Sequence, residues 1–295
     1  MYNPFSQTTA DETNDEVLVR QAQQGSRQAL EQLVVRHQGW IYNLAVRVVW
    51  YAHDAEDVTQ EVLIKMITRI GSFKGDSRFR TWLYRIVVNH VIDMKRRDAE
   101  SSELTFPAYE QMMARIEDRD IADEQTMGVD RSLLVEEAKI GCTMGMLLCL
   151  DRRQRLIFIL GEVFGADSKV GAEIMRISPA NFRQILSRAR RDLYEFINNQ
   201  CGFINEHGRC HCHRKAWAFI EDDTVEPGNL RFTPAHLKTV RDTAVARYDT
   251  LADAVEQQCA MVYRNHPFVD PPDITATLKQ ILGRDDVRLA MRLDT

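Results

Sequence analysis

Nowhere in its 295 residues does this sequence carry the unbroken apolar run of about 20 residues that a membrane-crossing helix requires. It also lacks a secretory signal. MYNPFSQTTADETNDE opens acidic and polar, with no basic segment leading into an apolar one, so the chain is expected in the cytoplasm with no membrane partner. Six cysteines are too few for a disulfide scaffold at this length. Kept reduced, any that cluster point to metal or redox chemistry. No Gly-rich phosphate loop, nucleophile elbow or paired-carboxylate cleft occurs, so no enzyme is expected and no catalytic residue is nominated. A formal net charge of −5 gives no global basic field, and any hold on nucleic acid must rest on local faces. What remains is 44% hydrophobic, enough for packed cores, in a length that suits two or three domains.

The most one-sided stretch is Arg176–Ile197, RISPANFRQILSRARRDLYEFI. Ser178 suits a helix N-cap and Pro179 the first turn, where a missing N–H costs nothing. Phe182, Ile185, Leu186, Ala189, Leu193, Phe196 and Ile197 recur at three- and four-residue steps and make one apolar stripe. Between Arg176 and Arg191 stand five arginines and no acid. Alone, that is a solvated basic face. Just upstream, however, Val170, Ala172, Ile174 and Met175 form a short apolar helix, and Arg176-Ile177-Ser178 a tight turn. That is helix-turn-helix spacing, in which the second helix enters the major groove with its N-terminal residues at the base edges. Asn181, Arg183 and Gln184 are shaped for base edges, and Arg188, Arg190 and Arg191 for phosphates. Ser178, Pro179, Ala180 and Ser187 complete the DNA-facing set.

In chain order, residues 1–15 read as a disordered tail. Helical periodicity then runs from Val17, breaks at Gly25-Ser26, and resumes through Trp40 to Tyr51. Asp54–Ile70 is an amphipathic helix with Asp54 as its cap. Val58, Val62, Met66 and Ile70 line one face; Asp57, Gln60, Glu61 and Lys65 line the other, which is either solvated or a docking face for a protein. Ser72–Arg97 holds seven basic residues against two acids, with Phe73, Phe79, Trp82 and Tyr84 interleaved. Aromatics among cations suit a nucleic-acid single strand, whose bases stack on rings while its phosphates meet arginine. Trp82 and Leu83 are assigned to the core, and Phe73, Phe79 and the cations to function. Asp98–Glu137 inverts the balance, with twelve acids against three arginines, and reads as a linker with little sustained apolar stripe and one transient helix. Ser132–Phe164 resumes helical packing, with Asp151 as a cap.

DAEDVTQEVLIKMITRI followed by FKGDSRFRTWLYRIVVNHVIDMKRR resembles the second conserved region of bacterial RNA polymerase sigma factors, in the extracytoplasmic-function group. RQRLIFILGEVFGADSKVGAEIMRISPANFRQILSRARRDL resembles their fourth region. The resemblance implies an all-α fold: a region 2 helical bundle at 16–98, the acidic linker at 99–131, a region 4 helix-turn-helix at 132–199 and a mostly helical C-terminal extension at 200–295. Asp57, Gln60, Glu61 and Lys65 would contact the clamp helices of the largest subunit of core RNA polymerase. Phe73, Lys74, Ser77, Arg78, Phe79, Arg85 and Asn89 would hold the melted non-template strand of the minus-ten promoter element, with Lys95, Arg96 and Arg97 on adjacent phosphates. The Pro179 helix would read the double-stranded minus-thirty-five element. The implied function is promoter recognition and melting in transcription initiation, and an anti-sigma factor is a further candidate partner. Three features depart from the family pattern: Leu150-Asp151 stands where Leu-Pro opens region 4, Gly165-Ala-Asp-Ser-Lys-Val occupies the turn, and the chain continues about a third further than a minimal member.

The extension begins with three cysteines and three histidines in thirteen residues, Cys201–His213. Cys201, His207, Cys210 and Cys212 are the candidate ligands of a zinc ion, which takes four such groups in a tetrahedron. A redox-sensing thiol cluster is the competing reading, and no other cofactor is required. The alternative for the whole chain is a stand-alone helix-turn-helix regulator with a metal- or redox-sensing tail. Binding to core polymerase separates the two.

Overall fold

The computed structural model describes residues 9–94, 104–121, 128–230, 251–264, 266 and 268–269. Among them the regular structure is helical; the one β-type pairing is a single bridge, Cys201 to Cys210. The described residues fall into two units. The first holds 9–94, 164–183 and 269. The second holds 104–121, 128–163, 184–230, 251–264, 266 and 268.

In the first unit, helices α1 (Thr9–Gln23), α2 (Arg27–Val49), α3 (Ala52–Arg69) and α4 (Phe79–Asp93) form a bundle, and α8 (Ser168–Met175) packs against α4. The Gly25-Ser26 break is where the sequence places it. Gly25 takes φ 91° and the Ser26 hydroxyl accepts from Ala29 N–H as the α2 cap. The apolar stripe of α3 is buried as read: Val58, Val62, Met66 and Ile70 are at most 1% exposed. Trp40 of α2 stacks on Tyr84 of α4 at 4.0 Å between ring centres. Arg47 is buried with them and donates to the backbone and side-chain oxygens of Asn43 at 2.8 and 2.9 Å. Burial pulls its guanidinium down to about 10.

Two expectations change here. The presumed tail is helical from Thr9, and Asp15 is buried because its carboxylate meets Arg36 at 2.9 Å and His37 at 3.4 Å. Asp54 is not the cap of α3. The helix starts at Ala52 after Tyr51, and Asp54 sits buried in its first turn.

The second unit is built on α6 (Arg131–Met146), α7 (Arg152–Phe158) with a π turn at Ile159–Val163, and the greater part of α9 (Pro179–Gln200). Asp151 and Gln154 form a reciprocal capping box at the start of α7. Buried Arg155 donates to the carbonyls of Leu147 and Leu150 at 2.9 and 3.0 Å, closing the 3-10 turn at Leu147–Cys149. The Leu147–Asp151 segment thus keeps its turn without proline. Two expectations change here as well. The linker contains a packed helix, α5 (Phe106–Arg115), capped by Thr105. Phe106 and Tyr109 meet Phe196 at 5.1 and 6.0 Å, and the Tyr109 hydroxyl donates to the Cys142 carbonyl at 3.0 Å. The extension is not a separate piece either. α10 (Cys212–Glu221) packs on α6, and α11 (Leu251–Arg264) brings Tyr263 edge-on to Phe158 at 5.1 Å. Residues 231–250 and 270–295 of the extension expected to be mostly helical lie outside the described residues.

No described helix is long and apolar enough to cross a membrane.

One glycine fixes the geometry of the helix-turn-helix. A Cβ on Gly171 of α8 would lie 2.3 Å from Cζ of Phe182 of α9, so the ring occupies the place a side chain would take. Gly171→Val should therefore cost about 1–3 kcal/mol by overpacking. Urea denaturation measures it, and an unchanged midpoint would show that the two helices separate freely.

Candidate nucleic-acid interface

The α8–α9 pair forms as its sequence dictates. The Asp167 carboxylate accepts from the N–H groups of Lys169 and Val170 and caps α8. Arg176 ends it in the left-handed conformation, φ 53°, which makes the turn tight. The Ser178 hydroxyl then accepts from Asn181 N–H at 3.2 Å, and α9 starts at Pro179. Phe182, Leu186, Ala189, Leu193 and Ile197 are buried. On the opposite side Ser178, Pro179, Ala180, Asn181, Arg183, Gln184, Ser187, Arg188 and Arg191 are all exposed. Arg190 differs. It is half-buried and ion-paired with Glu162, a buried carboxylate that also meets Arg264 at 2.6 Å. Its charge is already engaged within the second unit, and Glu162 is the residue that periodicity had given no reason to notice.

The aromatic-basic segment is placed less simply. Phe73, Phe79 and Trp82 form one ring cluster, with centres 5.5–5.6 Å apart. Burial runs opposite to the expectation: Phe79, nominated for function, is buried, and Trp82, assigned to the core, is half-exposed. Phe79 is 2% exposed and meets buried His37 at 5.5 Å, while Trp82 keeps an accessible edge. The first turn of α4 explains the exchange: Phe79 and Leu83 point inward one turn apart, and Trp82 falls between the faces. Lys74, Arg78 and Asn89 are exposed, and Ser77 and Phe73 half-exposed. Arg85 donates to the Glu173 carbonyl at 3.1 Å and to its carboxylate at 2.9 Å, so this candidate DNA contact is occupied by α8. Lys95, Arg96 and Arg97 lie outside the described residues.

Gln23 was not singled out from sequence. Its amide donates to the carbonyls of Ile70 and Phe73, each at 2.9 Å, and so pins the start of the aromatic loop to α1. No local pattern signals a bond across 50 residues.

The candidate docking face of α3 is formed: Glu61 is exposed and Asp57, Gln60 and Lys65 are half-exposed. Lys65 Nζ lies 2.5 Å from His90 Nδ1. Burial first, and the Lys65 charge second, lower the His90 pKa.

The acidic linker meets cations of the extension. Asp118 is held below the usual carboxylate range, chiefly by hydrogen bonding from Lys215, at 2.9 Å. Trp217 Nε1 donates to the Glu117 carbonyl at 3.0 Å, and Arg119 lies 3.8 Å over the Trp217 ring.

The candidate zinc ligands do not fit a four-ligand centre as they are placed. The His207 side chain is 86% exposed and faces Glu206. Among the described residues no group of three or more His, Cys, Asp or Glu side chains is arranged to hold a metal.

The Sigma-70 region 2 family matches residues 33–100, and Sigma-70, region 4 matches residues 140–193. Residues 33–100 and 140–193 are thus similar to the second and fourth regions of sigma-70 factors. The RNA polymerase sigma-H factor of Pseudomonas aeruginosa is 43% identical over 91 residues, covering 30% of this chain and 47% of that protein. The ECF RNA polymerase sigma-E factor of Escherichia coli K12 is 45% identical over 80 residues, 27% of this chain and 41% of the relative. The matches thus span less than half the length of these curated relatives. A solved structure, "Structure of CnrH in complex with the cytosolic domain of CnrY", aligns with 63% of this chain and 97% of its own, at 23% identity and a TM-score of 0.44.

The pocket behind the ring cluster has a pH signature. Trp40 Nε1 donates to His37 Nδ1 at 2.9 Å, and burial lowers the His37 pKa from its ordinary 6.5 against the pull of Asp15. The unfolded chain takes up this proton at higher pH than the native one. Stability is therefore full above 6.5 and is lost as pH falls below it. Between about pH 7 and about pH 5 the denaturation midpoint should fall, and less steeply in His37→Gln. An equally steep profile in that variant would assign the dependence to other groups.

Proposed function

We propose that this chain is a sigma factor: it binds core RNA polymerase, and directs promoter recognition and melting. The observation that carries this reading is the outer face of α9 from Pro179 to Arg191, which holds no acid and where nine of the ten nominated residues are exposed behind a capped N-terminus. That face suits the major groove of the minus-thirty-five element, with Asn181, Arg183 and Gln184 toward base edges and Arg188 and Arg191 toward phosphates. The Phe73–Trp82 edge with Lys74, Arg78 and Asn89 takes the melted minus-ten strand. Unstacking a base costs a few kcal/mol, which stacking on rings offsets. Trp82 replaces Phe79 as the ring offered to a base.

Asp57, Gln60, Glu61 and Lys65 of α3 supply the contact with the polymerase clamp helices. The polymerase performs the chemistry and this chain none, in the cytoplasm where the polymerase works. An anti-sigma factor is a further partner in this reading, with the α3 face and the outer face of α9 as the surfaces it would cover.

Run-off transcription with core polymerase on a promoter library is the direct test. The chain should co-purify with core and yield start sites sharing two spaced elements; a stand-alone regulator would do neither. Arg183→Ala should cost about 1–3 kcal/mol and relax base preference at one upstream position, whereas Arg188→Ala should weaken binding uniformly and lower the salt slope by about one. Binding isotherms at several salt concentrations distinguish the two. Identical profiles for both variants would count against this docking.

A further inference from the structure

A cleft in the second unit gathers more hydrogen-bonding capacity than the fold consumes. One wall is α9, where Arg190 and Tyr194 stand one turn apart on the same face. The other is α11, which presents Glu256, Gln257 and Arg264. At its base is Glu162 in the π turn, a backbone form that is rare and recurs at functional sites. Phe158 steadies both walls, edge-on to Tyr194 at 6.2 Å and to Tyr263 at 5.1 Å. The space between them is about 570 Å³, within the roughly 300–1,000 Å³ of small-molecule sites.

Glu162 is 1% exposed and meets Nε of Arg190 and, at 2.6 Å, Nη2 of Arg264. Two guanidiniums carry about ten N–H donors, whereas one carboxylate accepts about four. The surplus is accessible, since the two arginine side chains are 40% and 49% exposed. Together the three groups carry one net positive charge. Tyr194 adds a further donor. It is 6% exposed, and its hydroxyl has no hydrogen-bond partner among the described residues. A buried hydroxyl left so is costly, and native folds seldom keep one without a use. Burial, and then the Glu162 carboxylate, hold the phenol well above its ordinary value, so it stays protonated and able to donate. Beside these donors the exposed Glu256 carboxylate and Gln257 amide offer acceptors.

We propose that this cleft binds a sugar phosphate, with Arg190, Arg264 and the Tyr194 hydroxyl donating to the phosphate and Glu256 and Gln257 accepting from the sugar hydroxyls. A planar guanidinium meets two phosphate oxygens at once. Glu162 already holds both guanidiniums in place, so binding orders little that the fold has not ordered. The arginines keep that carboxylate while their remaining donors meet the ligand. Glu256 selects against a bare ion, because a carboxylate repels an anion that brings no donor of its own. The ligand lies against α9 at Arg190 and Tyr194, past the turns that carry Asn181, Arg183 and Gln184. The site rests on the fold of the second unit alone. Its assay involves neither polymerase nor promoter, so its failure leaves the sigma reading untouched.

The test titrates the full-length chain with ribose 5-phosphate by calorimetry, with ribose and inorganic phosphate as separate arms. Ribose 5-phosphate should bind with Kd below about 1 mM, and about tenfold or more tighter than either arm. Arg264→Gln should weaken it about tenfold. Tyr194→Phe removes one oxygen and keeps the ring against Phe158. It should weaken binding about three- to tenfold, while thermal unfolding of the free chain stays in place or moves upward, because an unpartnered hydroxyl does not support the free fold. That variant decides the matter even if Arg264→Gln loosens α11. No binding of ribose 5-phosphate to the wild-type chain at about 10 mM overturns the proposal, as does equal affinity for inorganic phosphate. Unchanged affinity in Tyr194→Phe overturns it too, and a lowered unfolding temperature there makes the hydroxyl a structural group. Displacement of ribose 5-phosphate by a short DNA duplex without promoter elements assigns the cleft to the DNA backbone instead.

Discussion

The contact between Gly171 and the Phe182 ring is the constraint on which the DNA-facing geometry rests. Two short helices joined by a three-residue turn could cross at many angles. The ring of Phe182 removes that freedom by occupying the volume of an absent side chain, so α8 and α9 approach to a distance that any Cβ would forbid. Arg176 in the left-handed region and the Ser178 cap then fix where α9 begins. Once that start is fixed, the 3.6-residue period alone decides which side chains face inward. The outward set is free of acid for its first three turns, so nothing opposes a phosphate there.

Charge is sorted within the chain by the same means. Four arginines nominated for DNA have partners in the fold: Arg85 and Arg190 meet a glutamate on a packed neighbour, Arg191 pairs with the adjacent Asp192 at 2.9 Å, and Arg183 donates to the Ser168 hydroxyl at 3.1 Å. The Arg190 partner is the stronger case. Glu162 is 1% exposed and would be costly to leave without a cation, so it holds both Arg190 and Arg264. Arg85 and Glu173 are partly exposed, and such pairs contribute at most about 1 kcal/mol. Arg85 can therefore be released at small cost when a phosphate competes, and Arg190 cannot.

Local pattern made much of this legible. Ser26, Asp151 and Ser178 are caps that the sequence announces, and the stripes of α3 and α9 are buried where the period places them. The misses share a cause. Phe79 and Trp82 were sorted by residue type, whereas their faces depend on which residue of α4 comes first. α5 was read only as a transient helix because its stripe is sparse, Phe106, Tyr109 and Met113, and its stability comes from Phe196 and Cys142, far along the chain. Gln23, His37 and Glu162 act through partners 28 to 50 residues away or on another helix, and no window of sequence contains both members.

The extension changes meaning on the same ground. Read as an appendage, residues 200–295 could be removed and the consequence assigned to lost regulation. In the fold, Cys259 and Tyr263 are core residues of the second unit: the Tyr263 hydroxyl donates to the Thr143 carbonyl at 3.1 Å, and the Thr143 hydroxyl meets His266 at 2.7 Å. Losing a buried aromatic of this size typically costs 3–5 kcal/mol, a large share of the roughly 5–15 kcal/mol that holds a domain together. Truncation would therefore unfold part of region 4 before it tested any regulatory idea. Single-atom changes avoid that confusion. Tyr194→Phe removes one oxygen and leaves the ring edge-on to Phe158 at 6.2 Å. The helix that faces DNA keeps its core while the chemistry of the cleft beside it is changed.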